Sequence, residues 1–286
     1  MEYEVDLHCK SSFYFEDDDH NVRAFLYNDY KIRPHTHDFY EMNIILGGSG
    51  IHMIENAHIP VKTGDVFVIP PMMVHSYYDT NQLDVYHIII KPSFITDNSA
   101  ESAKMPGFLQ FVEIEPFLRQ NASKSMFLHL SHSKREQLIN ELPIIEDGGV
   151  FDTDELLPMK HHTTWKIIYW LSYLLYVQMS SKASTSNKHE ILVLRSLEYM
   201  HKHYHEKITI DTLCKLTFLS RSTFLKNFES ICNCTPSHYL NSYRAKKAEE
   251  MLSNHMFSKT YIAHACGFYD LSHMERTLKQ FNKANK

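Results

Sequence analysis

The spacing of apolar positions changes character along this chain. Val22–Tyr27, Glu41–Leu46, Ile51–Glu55, Val66–Pro70 and Val85–Ile90 are short runs rich in Val, Ile, Phe and Tyr, parted by Gly, Asn, Asp and Pro. Such runs without intervening helical patterns predict strands of a sandwich or small barrel. Apolar steps of three and four residues follow at Lys134–Ile145 and Thr163–Met179 and predict helices. The second carries Trp165, Ile168, Leu171, Leu174, Leu175 and Gln178, broadened by Ile167, Trp170 and Val177. A stripe that wide is buried on more than one side; core alone would account for it, and the reading taken here is a sensor-domain dimer interface. The run Ser180–Asn187 reads as a flexible linker, and the acidic run Glu16–Asp19 as a solvated loop.

The last third of the chain repeats one layout. Glu190–Tyr204 is amphipathic through Ile191, Leu194 and Leu197. Thr209 is placed to cap a helix over Ile210–Lys215, and Ser220 to cap a second one in which Phe224 and Phe228 point inward. Thr235-Pro236 opens a connecting helix that runs to about Leu252. Phe257–Ala265, the turn at Gly267, and a helix capped by Asp270 or Ser272 then write the first pattern again, with Met274 and Leu278 facing the core. A short helix, a tight turn and a second helix with a polar outer face is a helix-turn-helix, whose second helix enters the DNA major groove. The outward residues of the two recognition helices are Arg221, Ser222, Leu225 and Lys226, and Leu271, Ser272, His273 and Arg276. Arg suits bidentate contact with guanine, Lys suits phosphate, and Leu225 suits a thymine methyl. A connecting helix of this length spans roughly 25 Å, which approaches the ~34 Å between successive major-groove faces.

Charge divides the chain in the same place. Residues 188–286 hold 15 Lys+Arg against 9 Asp+Glu, whereas residues 1–187 hold 14 against 25. The polyanion partner is therefore expected at the C-terminal part alone. At 43% apolar and 22% charged, composition is that of an ordinary globular chain. Five irregularly spaced cysteines argue for a reducing compartment, and Cys232-Asn-Cys234 lacks companion ligands at metal-site spacing. The N-terminus MEYEVDLHCK is too polar for a secretory signal, and the apolar run Ile167–Met179 is too short to span a bilayer, so a cytoplasmic protein without membrane contact is expected.

Within the strand-rich part, His35-Thr36-His37 is followed by Glu41 and Gly48, then by Gly64, Pro70 and His75. This spacing resembles both motifs of the cupin superfamily over residues 30–80, with departures at Met72 and Asp79. The resemblance implies a small β-barrel in which the residues matching His35, His37, Glu41 and His75 ligate a metal. Their chemistry agrees: residues 35 and 37 of one strand share a face, and imidazoles with a carboxylate suit zinc, nickel, copper or iron. Regulators with cupin-like sensors often keep such histidines without metal, so a metal-free ligand pocket is the expectation, with a divalent metal as the alternative. The expected ligand contacts are His35, His37, Tyr40, Glu41, His75 and Tyr77, in a barrel also carrying His52, His58, Tyr78, Tyr86 and His87. Aromatic faces with a few polar groups suit a small polar ligand such as a sugar.

The C-terminal hundred residues resemble the DNA-binding domain of the AraC/XylS family. The marks are Leu213-Cys214, Leu219-Ser220, Phe228, Thr235-Pro236, Tyr239-Leu240, Arg244, Ala248, Leu252, Ile262-Ala263, Gly267-Phe268, Asp270, Ser272, Arg276 and Lys279. Met274 and Leu278 stand where that family usually has Phe, and its usual closing Gly, Ser/Thr-Pro and Tyr-Arg do not follow. The resemblance implies a regulator, an activator more than a repressor, that engages promoter DNA and RNA polymerase as a homodimer. The expected fold is α+β: a cupin-like β-barrel sensor at residues 1–98, a helical dimerisation segment and linker at 99–187, and an all-α double helix-turn-helix at 188–286. The chain is expected to be no enzyme. The alternative is a metal-dependent cupin enzyme, a dioxygenase or isomerase, fused to a DNA-binding domain.

Overall fold

In a computed structural model the described residues are 7–284 except 16–18, 98–101, 103, 120–126, 184–187 and 254–256. Most of the acidic run, part of the polar stretch after residue 97 and the end of the serine-rich linker therefore lie outside them. The chain divides into two compact units, Met1–Ser181 and Lys182–Lys286. The helical stretch from 99 to 181 belongs to the same unit as the sheet.

The first unit is one eight-stranded sheet, ordered β1-β3-β7-β4-β6-β8, with β2 added to β7 and β5 to β4. The strands are β1 (Leu7–Cys9), β2 (Val22–Tyr27), β3 (Ile32–His37), β4 (Tyr40–Ile54), β5 (Ala57–Lys62), β6 (Asp65–Ile69), β7 (His75–Ile90) and β8 (Leu128–His129). β4 joins two runs that read as separate strands, and β7 likewise reaches beyond its apolar run. They pair along most of their lengths, Tyr40–Ile45 against Val85–Ile90 and Ile51–Ile54 against His75–Tyr78, with register shifts from Ile45 to Ile51. The bend rests on Gly48, at φ 71°, where an added Cβ would meet the Gln82 carbonyl oxygen at 1.9 Å. Only glycine fits there, because the left-handed region and the close backbone approach both exclude a side chain. The folded-over sheet encloses Ile45, Ile54, Ile59, Phe67, Ile69, Tyr77 and Val85.

Helices α1 (Pro92–Thr96), α2 (Glu115–Arg119), α3 (His132–Ile139), α4 (Leu142–Ile145) and α5 (Leu157–Ala183) complete this unit, with a π-helical turn at Gln110–Ile114 before α2. The single helix expected over 134–145 is two, since Pro143 cannot donate to the preceding turn. The expected linker is corrected in its first half: Ser180–Ala183 continue α5. On α5 the core takes Ile167, Ile168, Leu171 and Leu175, while Tyr173, Tyr176 and Val177 are exposed. All five cysteines are free, and no helix among the described residues is long and apolar enough to cross a membrane.

The second unit holds α6 (Lys188–Lys202), α7 (Ile210–Thr217), α8 (Arg221–Cys232), α9 (Pro236–Ser253), α10 (Lys259–Ala265) and α11 (Leu271–Ala284). Helix ends fall where polar side chains satisfy the first unpaired N–H groups. Thr209 accepts from Thr212 N, Ser220 from Thr223 N and Ser258 from Tyr261 N. Helix α9 touches α8 on one side and α10 and α11 on the other, so it ties both helix-turn-helix pairs into one body. Phe224 and Phe228 are fully buried beside Tyr239, and Ala248, Ile262, Ala263, Phe268 and Met274 fill the second pair.

Candidate functional site

In the sheet unit, strand pairing gathers polar side chains into an apolar interior. His35 lies across from His75, Asn43 from His87 and His52 from Tyr77. With His37 and Glu41 they are all buried. The organising group is the Glu41 carboxylate. Its Oε1 accepts from His87 Nδ1 at 2.8 Å, and its Oε2 faces His37 Nε2 at 3.3 Å and His75 Nε2 at 3.7 Å. Burial alone would raise its pKa, but the contacts from His37, His75 and His87 hold Glu41 well below the usual carboxylate range.

Three of these imidazoles are oriented from behind. Nδ1 of His35, His37 and His75 meets the backbone oxygen of Arg33, Phe39 and Met73 at 3.0, 2.7 and 3.3 Å. A carbonyl oxygen only accepts, so each Nδ1 carries a proton and each ring turns its Nε2 toward the interior. Burial lowers the pKa of His75, and burial with the neighbouring His75 brings His35 to about 4. The Nε2 atoms of His37 and His75 thus converge on one carboxylate oxygen at 3.3 and 3.7 Å, and neither completes a hydrogen bond among the described residues. A cation resolves that arrangement, and backbone-pinned imidazoles are the usual support of metal ligands. His35, Glu41 and His75 each offer a ligand atom within 4.8 Å of the others, so the residues fit a divalent metal. His37 lies against the same carboxylate oxygen, outside that trio.

Of the expected ligand contacts, the sheet brings together His35, His37, Glu41, His75 and Tyr77. Tyr40 is a correction. Strand residues alternate faces, so the Tyr40 side chain leaves Glu41 on the face it shares with Met42, and it lines an apolar crevice with Met42, Val68, Val112 and Ile168 that Glu41 also borders. Three interior groups were missed as site members. His87 binds Glu41; His52 stacks on Tyr77 at 4.5 Å; Asn43 donates to Tyr77 Oη at 3.1 Å. A period-two count from Glu41 finds Asn43, but His52 and His87 require the pairing register.

In the helical unit Arg221, Ser222 and Lys226 are exposed on α8, and Ser272 and Arg276 on α11. Leu225 is half-buried. Leu271 and His273 depart from expectation. Leu271 packs on the core of the second helix pair, and His273 sets its ring edge-on to Phe268 at 5.3 Å. The cap causes this: Asp270 Oδ1 accepts from His273 N at 2.7 Å, so the helix starts at Leu271 and its first turn leans on α10. The cap is Asp270 and not Ser272. Asp270→Ala is expected to cost about 1 kcal/mol, lowering the melting point of the helical unit by roughly 4–8 °C. A calorimetric melt with no shift would assign the helix start to packing alone.

A buried polar cluster in a folded sheet and a pair of capped helix-turn-helix units define a transcription regulator with a ligand-binding domain and a DNA-binding domain. Family models agree with each half: an AraC-like ligand binding domain matches residues 23–144, and a helix-turn-helix domain matches residues 213–284. The chain belongs to the AraC/XylS family of transcription regulators. Its relatives include the HTH-type transcriptional activator RhaR of Salmonella dublin, 23% identical over 82% of this chain and 79% of the relative. The activator RhaS of Escherichia coli O81 is 24% identical over 87% and 84%. Among solved structures, the DNA-binding domain of AdpA in complex with a target DNA is 24% identical, covers 31% of this chain and 79% of that one, and has a TM-score of 0.30.

Proposed function

We propose that this regulator activates transcription from promoter DNA as a cytoplasmic homodimer that engages RNA polymerase, and that a small polar molecule such as a sugar in the sheet interior sets its DNA affinity. The observation that carries the reading is a buried, multiply hydrogen-bonded polar cluster in one unit of a chain whose other unit presents two basic recognition helices. On α8, Arg221, Ser222, Leu225 and Lys226 face the groove; on α11, Ser272 and Arg276 do so, with Leu271 and His273 shaping the approach. His35, His37, Glu41, His75 and Tyr77 surround the effector, with His52, Asn43 and His87. The exposed Tyr173, Tyr176 and Val177 of α5 favour the homodimer. An effector with different affinity for two arrangements of the dimer shifts DNA binding by the ratio of those affinities.

The test is a thermal-shift screen of the full chain against sugars, small acids and divalent metals, followed by affinity for a DNA site selected from random sequence. A ligand at a hundred times its dissociation constant stabilises its domain by about 2.7 kcal/mol. A hit is expected to change DNA affinity about 5–150-fold. A hit that stabilises the chain and leaves DNA affinity untouched would defeat the coupling. On this reading the barrel senses and does not turn over substrate.

The convergence of ligand atoms from His35, Glu41 and His75 within 4.8 Å of one another favours a second reading. His35, Glu41 and His75 would hold a zinc, nickel, copper or iron ion, which supplies a Lewis acid and a cross-link between strands. Elemental analysis of the purified chain is then expected to find stoichiometric metal that His75→Ala loses. Metal far below one ion per chain in the unmutated protein defeats this reading.

A further inference from the structure

Among the described residues β6 pairs with β8 through Asp65 and Val66, and the Phe127 ring lies 4.8 Å from that of Phe67. Arg119 of α2 reaches the next stretch of β6. Its Nη2 donates to the Val68 carbonyl oxygen, and its guanidinium lies over the Phe67 ring, 4.9 Å from the centroid. Phe67 is an interior residue that in turn meets the His52 ring at 5.2 Å. The guanidinium thus curls over the strand edge onto the inner wall, and its charge is felt at His52 and Tyr77.

This arginine is fully buried yet incompletely satisfied. Nη1 and Nε have no hydrogen-bond partner among the described residues, although Nε stands 3.3 Å from Glu115 Oε1 in an ion pair. Burial pushes the Glu115 carboxyl up to about 7, against the lowering pull of Arg119. Interior atoms close by are also open: both ring nitrogens of His52 and Oδ1 of Asn43. A buried donor without an acceptor is costly, more so when charged. Orphaned charged donors beside orphaned neutral polar atoms are what an anionic, hydroxyl-bearing guest would satisfy, since guanidinium takes a carboxylate through two parallel hydrogen bonds.

We propose that Arg119 seats a carboxylate, so that the effector is a small organic acid, such as a sugar acid, whose polar remainder reaches His52, Asn43 and Tyr77. This rests on the sensor reading and narrows it. Guest carboxylate and Glu115 compete for the same guanidinium, so entry of the acid loosens α2 from its own ion pair.

The test uses the full chain labelled at arginine and follows the Nε resonance of Arg119, assigned by its loss in Arg119→Lys. Acetate is the probe and acetamide its neutral counterpart of equal shape. Acetate is expected to move the resonance to saturation in the millimolar range and acetamide to leave it in place. Glu115→Gln removes the competitor and is expected to tighten the acetate midpoint several-fold; a purely structural arginine gives no such gain. No movement with acetate, or equal movement with acetamide, overturns the proposal. If in that case a neutral sugar still stabilises the chain and changes DNA affinity, the sensor reading stands without its acid. If no sugar or acid does either, the sensor reading falls with it.

Discussion

Arg276→Ala is expected to weaken binding to the selected DNA site about 10–100-fold, which corresponds to 1–3 kcal/mol. Arg276 is exposed on α11, one helical turn beyond Ser272 and opposite the buried Met274 face, and it has no ion-pair partner among the described residues. Its removal therefore leaves the fold intact, and the melting point of the helical unit should stay within a degree or two. Base contact and phosphate contact give different results. Loss of a guanine contact relaxes sequence preference at one position, whereas loss of a phosphate contact weakens all sequences alike and reduces the salt slope by about one. Lys226→Ala is the phosphate-type comparison on α8. Arg221 is a poorer probe, because its guanidinium already stands 3.4 Å from Asp211. Unchanged affinity and unchanged preference for Arg276→Ala would remove α11 from the groove.

Gly267→Ala is expected to unfold much of the helical unit at physiological temperature. Gly267 sits at φ 77° in the turn between α10 and α11. Left-handed backbone costs a residue with a Cβ about 1–2 kcal/mol. Space is also lacking: the new methyl would meet the Tyr204 carbonyl oxygen at 2.6 Å, and Arg244 Nη2 and His205 Cα at 2.9 Å each. These atoms belong to a clasp and cannot yield separately. Arg244 Nε donates to Tyr204 O and Nη2 to Glu206 O, both at 2.7 Å, which fastens α9 to the segment after α6. Strain and clash together make about 3 kcal/mol or more a reasonable expectation. At roughly 4–8 °C per kcal/mol for a unit of this size, calorimetry should resolve the loss easily. A melting point within a few degrees of the original would show that the clasp can open without cost.

The helical unit was legible because its determinants are local. Thr209, Ser220 and Thr235-Pro236 announce helix starts within one turn of themselves, and the 3.6-residue period of Phe224 and Phe228 places the buried face. The twofold layout added weight that a single helix-turn-helix would lack. Its errors were also local in origin. Leu271 and His273 were assigned outward by spacing, but the first turn of α11 faces the helix before it, and only packing against Phe268 and α10 reveals that.

The sheet unit was legible in its motif and opaque in its assembly. His35, His37, Glu41 and His75 stood out by spacing, and the period of two correctly put residues 35 and 37 on one face. The same period, applied to Glu41, also excludes Tyr40. What sequence order could not supply is which strand lies beside which. His87 is 46 residues from the carboxylate it binds, Arg119 is 51 from the carbonyl it caps, and His52 meets Tyr77 only because β4 and β7 share a register around the bend at Gly48. Caps, helical faces and motif spacing are set by neighbours within a few residues, and the amino-acid order alone determined them. The buried polar cluster and its arginine depend on pairing between distant strands, a collective choice made when the sheet closes, and only the tertiary structure decided them.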